Sequence, residues 1–473
     1  MVLVLTVVVL QSISFANYAL TTKTTNIIYG SAPYLTFDGG RTRVTNTEAL
    51  LRISLSDGRT FTPTTTNSRD NPIILPVDGQ SFNDIGMLVP TNTNSIALSS
   101  LIGTPYNYWG DDDGDGQGVN GVTATGSLNV SIADNFNNPV ARNEVLTICK
   151  APYKLTLSNG EGTLTTRYGV PNESRFSAGN ATYYINPKAS PVICFARPNL
   201  SSSSVASSRS SGLSAAIWNR DKGFLTQSVT PSSYGLNFPT TGANNLFFDL
   251  DIDGNNQVLS WAPVSHGGIT ATMTNSTSTS VRVTLTGPVA TPSQWQSQYG
   301  GRIDKPSLPQ TFELVGRDSS GNAVVKYGFV LKKWVVNRGT YMNTALSLRL
   351  WCSNGYRVPK VRDLTNASCL SSGTSCTEYY TNKPVKGATP SSPDNTVRRH
   401  IGAGFFTEWG RMDYYTGANF KTHYYWTTDL RTRKHGGMID DVSHPFAVLS
   451  ANGYVRALSP DGERTYPGLC VYP

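Results

Sequence analysis

Charge is scarce in this chain. Lys, Arg, Asp and Glu together supply 15% of its 473 residues, and no run of Lys and Arg of the kind that grips nucleic acid occurs. Histidine is also rare. The five present, His266, His400, His423, His435 and His444, fall in no zinc, phosphate or nucleophile motif. Ser265-His266 is a bare neighbour pair whose side chains would point to opposite faces of a strand, and no G-x-S-x-G elbow supports it. The six cysteines include no C-x-x-C pair, so they read as disulfides of an oxidising compartment and not as zinc ligands. No stretch approaches the eighteen apolar residues of a membrane-spanning helix. Together these shortages exclude nucleic-acid binding and argue against an enzyme.

The N-terminus opens with Met1-Val2-Leu3-Val4-Leu5-Thr6-Val7-Val8-Val9-Leu10, an apolar core of signal-peptide length. Ser14-Phe15-Ala16 follows, with small residues where a signal peptidase reads, so residues 1–16 are expected to be removed. No Lys or Arg precedes the apolar run. The reading is therefore either a start that lies upstream or a weak export signal.

What is abundant is Ser, Thr, Asn and Gly. Such side chains cover the faces and turns of extracellular β-structure, and the length suits roughly three domains. Leu51-Arg52-Ile53-Ser54-Leu55 alternates into an Asp57-Gly58 turn, and Ser127–Ile132 and Tyr153–Leu157 alternate likewise. This period of two, broken by turns, predicts a β-sandwich over 17–200. A Ser-rich stretch, 201–213, reads as a polar linker and a domain boundary. A second, immunoglobulin-like sandwich is expected over 214–339. Its strands include Val281–Thr286 and a hairpin of Thr311–Val315 with Ala323–Val330 around Asp318-Ser319-Ser320-Gly321-Asn322.

The last quarter changes character. Asn343–Cys352 is helix-like, Gly355-Tyr356-Arg357-Val358-Pro359 follows, and Lys360–Thr365 is a second short helical candidate. An aromatic-rich polar region leads to Tyr424-Tyr425-Trp426-Thr427-Thr428-Asp429. Pro445–Leu449, Leu449–Val455 and Leu469-Cys470-Val471-Tyr472 close the chain. On these residues, 340–473 resembles a C-type-lectin-like domain of the calcium-independent kind, and the whole resembles enterobacterial intimin/invasin-related surface adhesins. The resemblance implies a mainly β chain in which tandem immunoglobulin-like β-sandwich domains precede a C-terminal α+β C-type-lectin-like domain. It also implies an end-to-end bridge, Cys352–Cys470, with Cys369–Cys376 as a local loop, although the four C-terminal cysteines alone allow three connectivities. Cys149 and Cys194 are then left as the upstream pair.

Recognition chemistry concentrates in the same quarter. Phe405-Phe406-Thr407-Glu408-Trp409-Gly410-Arg411-Met412-Asp413-Tyr414-Tyr415 has the composition of a binding surface, aromatics with Arg. Phe405, Phe406 and Trp426 are expected in the core. Trp409, Tyr414 and Tyr415 sit among polar residues and are expected to be exposed, with Arg411, His423, Arg431, Arg433 and Lys434 as neighbouring contacts. Glu408 and Asp413 read as ordinary surface charges.

No cofactor is required on this reading, and calcium is the one candidate. Asp111, Asp113 and Asp115 before Gly116 form half of a calcium loop, but Val122 stands where a bidentate Glu would close it. Asp249, Asp251 and Asp253 before Gly254 repeat the spacing, and a strand with one polar face explains them equally. The function expected from the resemblance is adhesion: a secreted or surface-held protein of the bacterial outer membrane, a virulence factor gripping a host cell-surface protein or glycan. Calcium-dependent lectins of this fold use Glu-Pro-Asn or Gln-Pro-Asp with Trp-Asn-Asp, and none of these occurs here. A carbohydrate lectin and a purely structural fibre component are the competing readings.

Overall fold

The computed structural model describes residues 29–114, 121–188, 190–201, 211–369, 376, 384–431, 434–435, 438–439, 444–458 and 465–473. The expected signal peptide, Asp115, Arg433 and most of the Ser-rich stretch lie outside these residues. The chain is mainly β and forms two compact units, Met1–Lys188 and Ala189–Pro473.

In the first unit the alternating segments become the main sheet. In chain order its strands are β1 (Ile73–Ile74), β2 (Ser95–Ala97), β3 (Ser127–Ala133), β4 (Tyr153–Asn159) and β5 (Gly179–Asn186), and side by side they run β1-β5-β4-β3-β2. Leu128, Val130 and Ile132 point inward from β3, and Tyr153, Leu155 and Leu157 do so from β4. That is the pleat turning a two-residue sequence period into one dry face. A smaller sheet pairs Gly162–Thr166 with Val122–Thr125 on one side and Glu173–Phe176 on the other. Only Ile53–Ser54 of the expected Leu51–Leu55 strand is extended. A one-turn helix, Thr47–Leu50, intrudes because the Asn46 side chain caps it by accepting from the Ala49 N–H.

The second unit begins earlier than the composition suggests. Strand β6 (Val192–Arg197), upstream of the Ser-rich stretch, lies inside a seven-stranded sheet between Gly223–Leu225 and β8 (Leu246–Asp253). Strand β9 (Ser280–Thr286) continues that sheet beyond β8. The expected boundary at 201–213 is therefore corrected to 188/189. The polar stretch is flanked at both ends by ties within the unit. The Ser201 carbonyl accepts from Arg411 N at 2.9 Å, and Ser211 and Leu213 bond the Arg399 backbone. A second sheet holds β10 (Gln310–Arg317) and β11 (Ala323–Leu331) as the expected hairpin.

A third sheet joins the middle of the chain to its end. Its central strand, β12 (Lys333–Asn343), pairs in parallel with β7 (Thr241–Ala243) and antiparallel with β15 (Tyr466–Tyr472). The segment expected as a short connection, Trp334–Gly339, is thus the middle of a strand with Trp334, Val335 and Val336 buried. Next comes helix α2 (Ala345–Trp351), preceded along the chain by α1 (Pro292–Gln296) and followed by α3 (Val361–Leu364) and α4 (Phe405–Trp409). Strands β13 (Tyr424–Arg431) and β14 (His444–Leu449) pair antiparallel. Cys352 at the end of α2 is bonded to Cys470 in β15, and Cys369 to Cys376. All six cysteines are in disulfides. One continuous apolar core runs from Ile193 to Val471.

Candidate functional site

The aromatic segment of the last quarter folds inward. Helix α4 starts after Gly404 (φ 105°) and stops at Gly410 (φ 76°), and all five of its residues are buried. Both glycines hold left-handed backbone, and a Cβ on Gly410 would strike the Arg399 guanidinium. Trp409 is fully buried, its indole N–H donating to the Thr241 carbonyl at 3.0 Å. Its ring meets Phe238 edge to face at 4.9 Å and Tyr415 at 5.7 Å. Tyr415 is 2% exposed. Its hydroxyl donates to the Trp409 carbonyl at 2.6 Å and accepts from Asn199 N at 2.9 Å. Burial pushes that phenol well above its ordinary range.

Trp409 and Tyr415 are therefore core residues, and their expected role as exposed anchors is corrected. The cause is tertiary. Polar neighbours in sequence do not make a surface when Phe238, Phe248 and Thr241, more than 160 residues away, close over the ring. Phe405, Phe406 and Trp426 are buried.

Glu408 departs furthest from its sequence reading as a surface charge. Its carboxylate is completely buried and receives N–H and O–H donors from Thr240 and Thr241, and the N–H of Gly402 at 2.8 Å. Burial raises its pKa, and the bonds from Thr241, Gly402 and Thr240 pull the other way. Arg399, also fully buried, donates to the Thr407 and Glu408 carbonyls and stacks on Trp218 at 4.7 Å. Nothing local in the sequence marks Glu408 as buried, because Thr240 and Thr241, which supply most of its donors, lie more than 160 residues away.

Of the remaining expected contacts, Arg411, His423 and Arg431 are half-buried and Tyr414 is exposed. Arg411 donates twice to Asp413, each bond 2.7 Å, and lies over the ring of Tyr414, which is 44% exposed. His423 accepts from Tyr424 N at 2.9 Å and packs on Tyr466. Burial lowers its pKa, with help from the charge of Lys421. Arg431 faces His444 in the β13–β14 ladder. Lys434 pairs with Ile439 in a two-stranded ladder. Of the calcium candidates, Asp113 accepts from Ser31 N at 2.6 Å, and the intervening Asp112 pairs with Arg43. Asp249 pairs with Arg282 and Asp251 with Arg197, which makes that run a charged strand face. Among the described residues no group of three or more His, Cys, Asp or Glu is placed to hold a metal, and no helix is long and apolar enough to cross a membrane.

A surface that the sequence reading missed surrounds α2. Thr344 caps the helix by accepting from Ser347 N. Leu348 and Trp351 face the core, while Leu346 and Leu350, one turn apart, are 69% and 40% exposed. Tyr341 and Tyr299 are exposed too. Arg338, on β12, organises this corner. It is 1% exposed, stacks on Tyr341 and Trp351, and donates to the carbonyls of Trp295 and Ser297 at 2.9 and 2.6 Å. Its Nη1 has no hydrogen-bond partner, and burial lowers its pKa to about 10. A helix that keeps two leucines in water while its next turn is locked into a core presents a rigid apolar face. The signal was available in the sequence: Leu346, Leu348 and Leu350 cannot all lie on one side of a helix.

No protein-family model matches the chain, and neither does any curated protein sequence. Among solved structures it is similar to invasin, a bacterial integrin-binding protein, at 14% identity and a TM-score of 0.32 over 75% of this chain and 52% of that one. It thus spans about half the length of that relative. It is also similar to a Bacteroides ovatus protein of the mixed-linkage glucan utilization locus, solved with a mixed-linkage heptasaccharide, at 11% identity and a TM-score of 0.17, over 72% and 90% of the respective chains.

Proposed function

We propose that the chain is an adhesin, secreted or held at a bacterial surface, whose second unit grips a host cell-surface protein through the region after residue 340. The observation that carries this reading is the apolar face of α2. Leu346, Leu350, Tyr341 and Tyr299 are exposed around the stacked Arg338, on a body with one continuous core and a covalent staple from Cys352 to Cys470. Large apolar and aromatic side chains that are already rigid lose little entropy on docking, so binding energy concentrates in them. Disulfides throughout fit an extracellular setting. Tyr414 with Arg411 is a secondary contact on this reading.

The test is binding of the full chain to cultured mammalian cells. Leu346→Lys with Leu350→Lys is expected to weaken binding at least about tenfold, the effect of a desolvated anchor pair, with an unchanged melting temperature. Full binding by a double variant that melts like the parent refutes the placement.

A further inference from the structure

We propose that the first unit carries a second binding site, for a neutral oligosaccharide, in the groove between the Gly39-Gly40 turn and the Tyr106–Gly110 segment. The groove encloses about 450 Å³, within the range of small-ligand sites. Its floor and one wall are aromatic. Phe37, Tyr106, Tyr108 and Trp109 are each half-buried, packing one part against the unit's core and leaving the rest to the groove. The rings of Tyr106 and Tyr108 stand 5.5 Å apart at 50°. Half-exposed aromatic faces offer what the C–H face of a sugar ring stacks on, as bases do on aromatic platforms.

The walls are held before any ligand arrives. Tyr108 N donates to the Leu101 carbonyl at 2.7 Å, Asn107 N to the Gly103 carbonyl at 2.8 Å, and Thr36 N to the Tyr108 carbonyl at 3.1 Å. On the opposite side Asp38 accepts from Thr42 N at 2.8 Å, Thr42 Oγ1 at 2.6 Å and Thr36 Oγ1 at 2.9 Å, which fixes the turn. Gly39 and Gly40 have φ of 71° and 90°, and their missing Cβ atoms leave the backbone open to the groove. Asn107, exposed at φ 50°, adds an amide that both donates and accepts.

The charges nearest the aromatic lining are mostly engaged. The Asp38 carboxylate is occupied by Thr36 and Thr42. Arg43 is paired with Asp112 and stacked on Tyr34 at 4.7 Å, and Asp112 also accepts from the Tyr34 hydroxyl at 3.1 Å. Arg43 and Asp112 are thus spent on each other, while the exposed Arg41, next to Gly40, acts through its charge on Asp38. A ligand with apolar faces and hydroxyl edges fits the aromatic walls, and a sulfated sugar is the control for an anion drawn by Arg41 instead.

Calorimetry on the full chain tests this with hexamers of α- and β-linked glucose, of xylose and of mannose. A heparin-derived hexasaccharide and decaproline serve as controls. At least one neutral hexamer is expected to bind with a Kd below about 1 mM. Trp109→Ala is expected to weaken it about tenfold or more, the loss of one stacking face. Asn107→Gly, which keeps the turn's backbone, is expected to cost several-fold without a change in melting. Leu346→Lys in the second unit should leave the titration unchanged, which separates this site from cell binding. The proposal is overturned if no neutral hexamer binds, if the sulfated sugar or decaproline binds more tightly, or if Trp109→Ala and Asn107→Gly both bind as the parent does.

Discussion

Trp409→Ala should act on stability and not on recognition. The indole is wholly buried, meets Phe238 at 4.9 Å, Phe248 at 6.1 Å and Tyr415 at 5.7 Å, and donates to Thr241. Truncating a buried Trp costs about 3–5 kcal/mol, because transferred area is lost and the cavity collapses only in part. The Thr241 carbonyl also loses a donor, which places the cost toward the upper end. For a body of this size each kcal/mol lowers Tm by about 2–4 °C, so a drop of roughly 10 °C is expected. Tyr414→Ala, on the surface nearby, should stay within about 0.5 kcal/mol of the parent. Differential scanning calorimetry of the full chain measures both, with cell binding followed below the transition. Unchanged melting of Trp409→Ala combined with a tenfold loss of cell binding would refute the burial argument and restore the indole as a surface anchor.

Asp363 carries an acid limb of stability. Burial alone would raise its pKa, but hydrogen bonds from Arg357 and Lys333 outweigh it and hold the carboxyl at about 2, below the ordinary 3.8. A depressed carboxylate stabilises above its unfolded pKa, so the contribution is present above about pH 4 and is lost as pH falls toward 2. With both cations partly in solvent it amounts to about 1–2 kcal/mol. Urea unfolding between pH 6 and pH 2 should show a shallower acid limb for Asp363→Asn, and parallel limbs would contradict the assignment. Replacing Cys352 and Cys470 together with Ser removes a bridge spanning 118 residues, at a chain-entropy cost of up to about 4–5 kcal/mol. A double variant as resistant to denaturant as the parent would show that the tie is redundant.

Much of the secondary structure was legible because each signal is local. The alternation in Ser127–Ile132, Tyr153–Leu157 and Val281–Thr286 marks strands with one dry face, and Asp318–Asn322 marks a hairpin. What was not legible depends on partners far away in the chain. Glu408 and Trp409 are buried by Thr240, Thr241 and Phe238, and no window of sequence around position 408 contains that information. The domain boundary failed for a related reason. Composition marks where a chain is polar, whereas contacts decide where a unit ends, and β6 zips onto β8 ahead of the serines. The α2 surface was missed differently. Its helix was anticipated, but which of its leucines stay in solvent is decided by what packs against Leu348 and Trp351.

The placement of β12 has a mechanical consequence. It is at once the covalent path into the last quarter of the chain and the central strand between β7 and β15. A pull applied at α2 would travel along the axis of β12, while its ladder bonds lie across that axis. Tension would thus load the bonds on both edges in shear, together, instead of peeling them one by one as in an unzipping hairpin. The Cys352–Cys470 link ties the far end of β15 to the helix that follows β12, so the strand cannot be drawn out while its neighbour stays behind. The same sheet that buries Trp334 and Val336 is therefore a shear clamp, placed where an attached load would enter the unit.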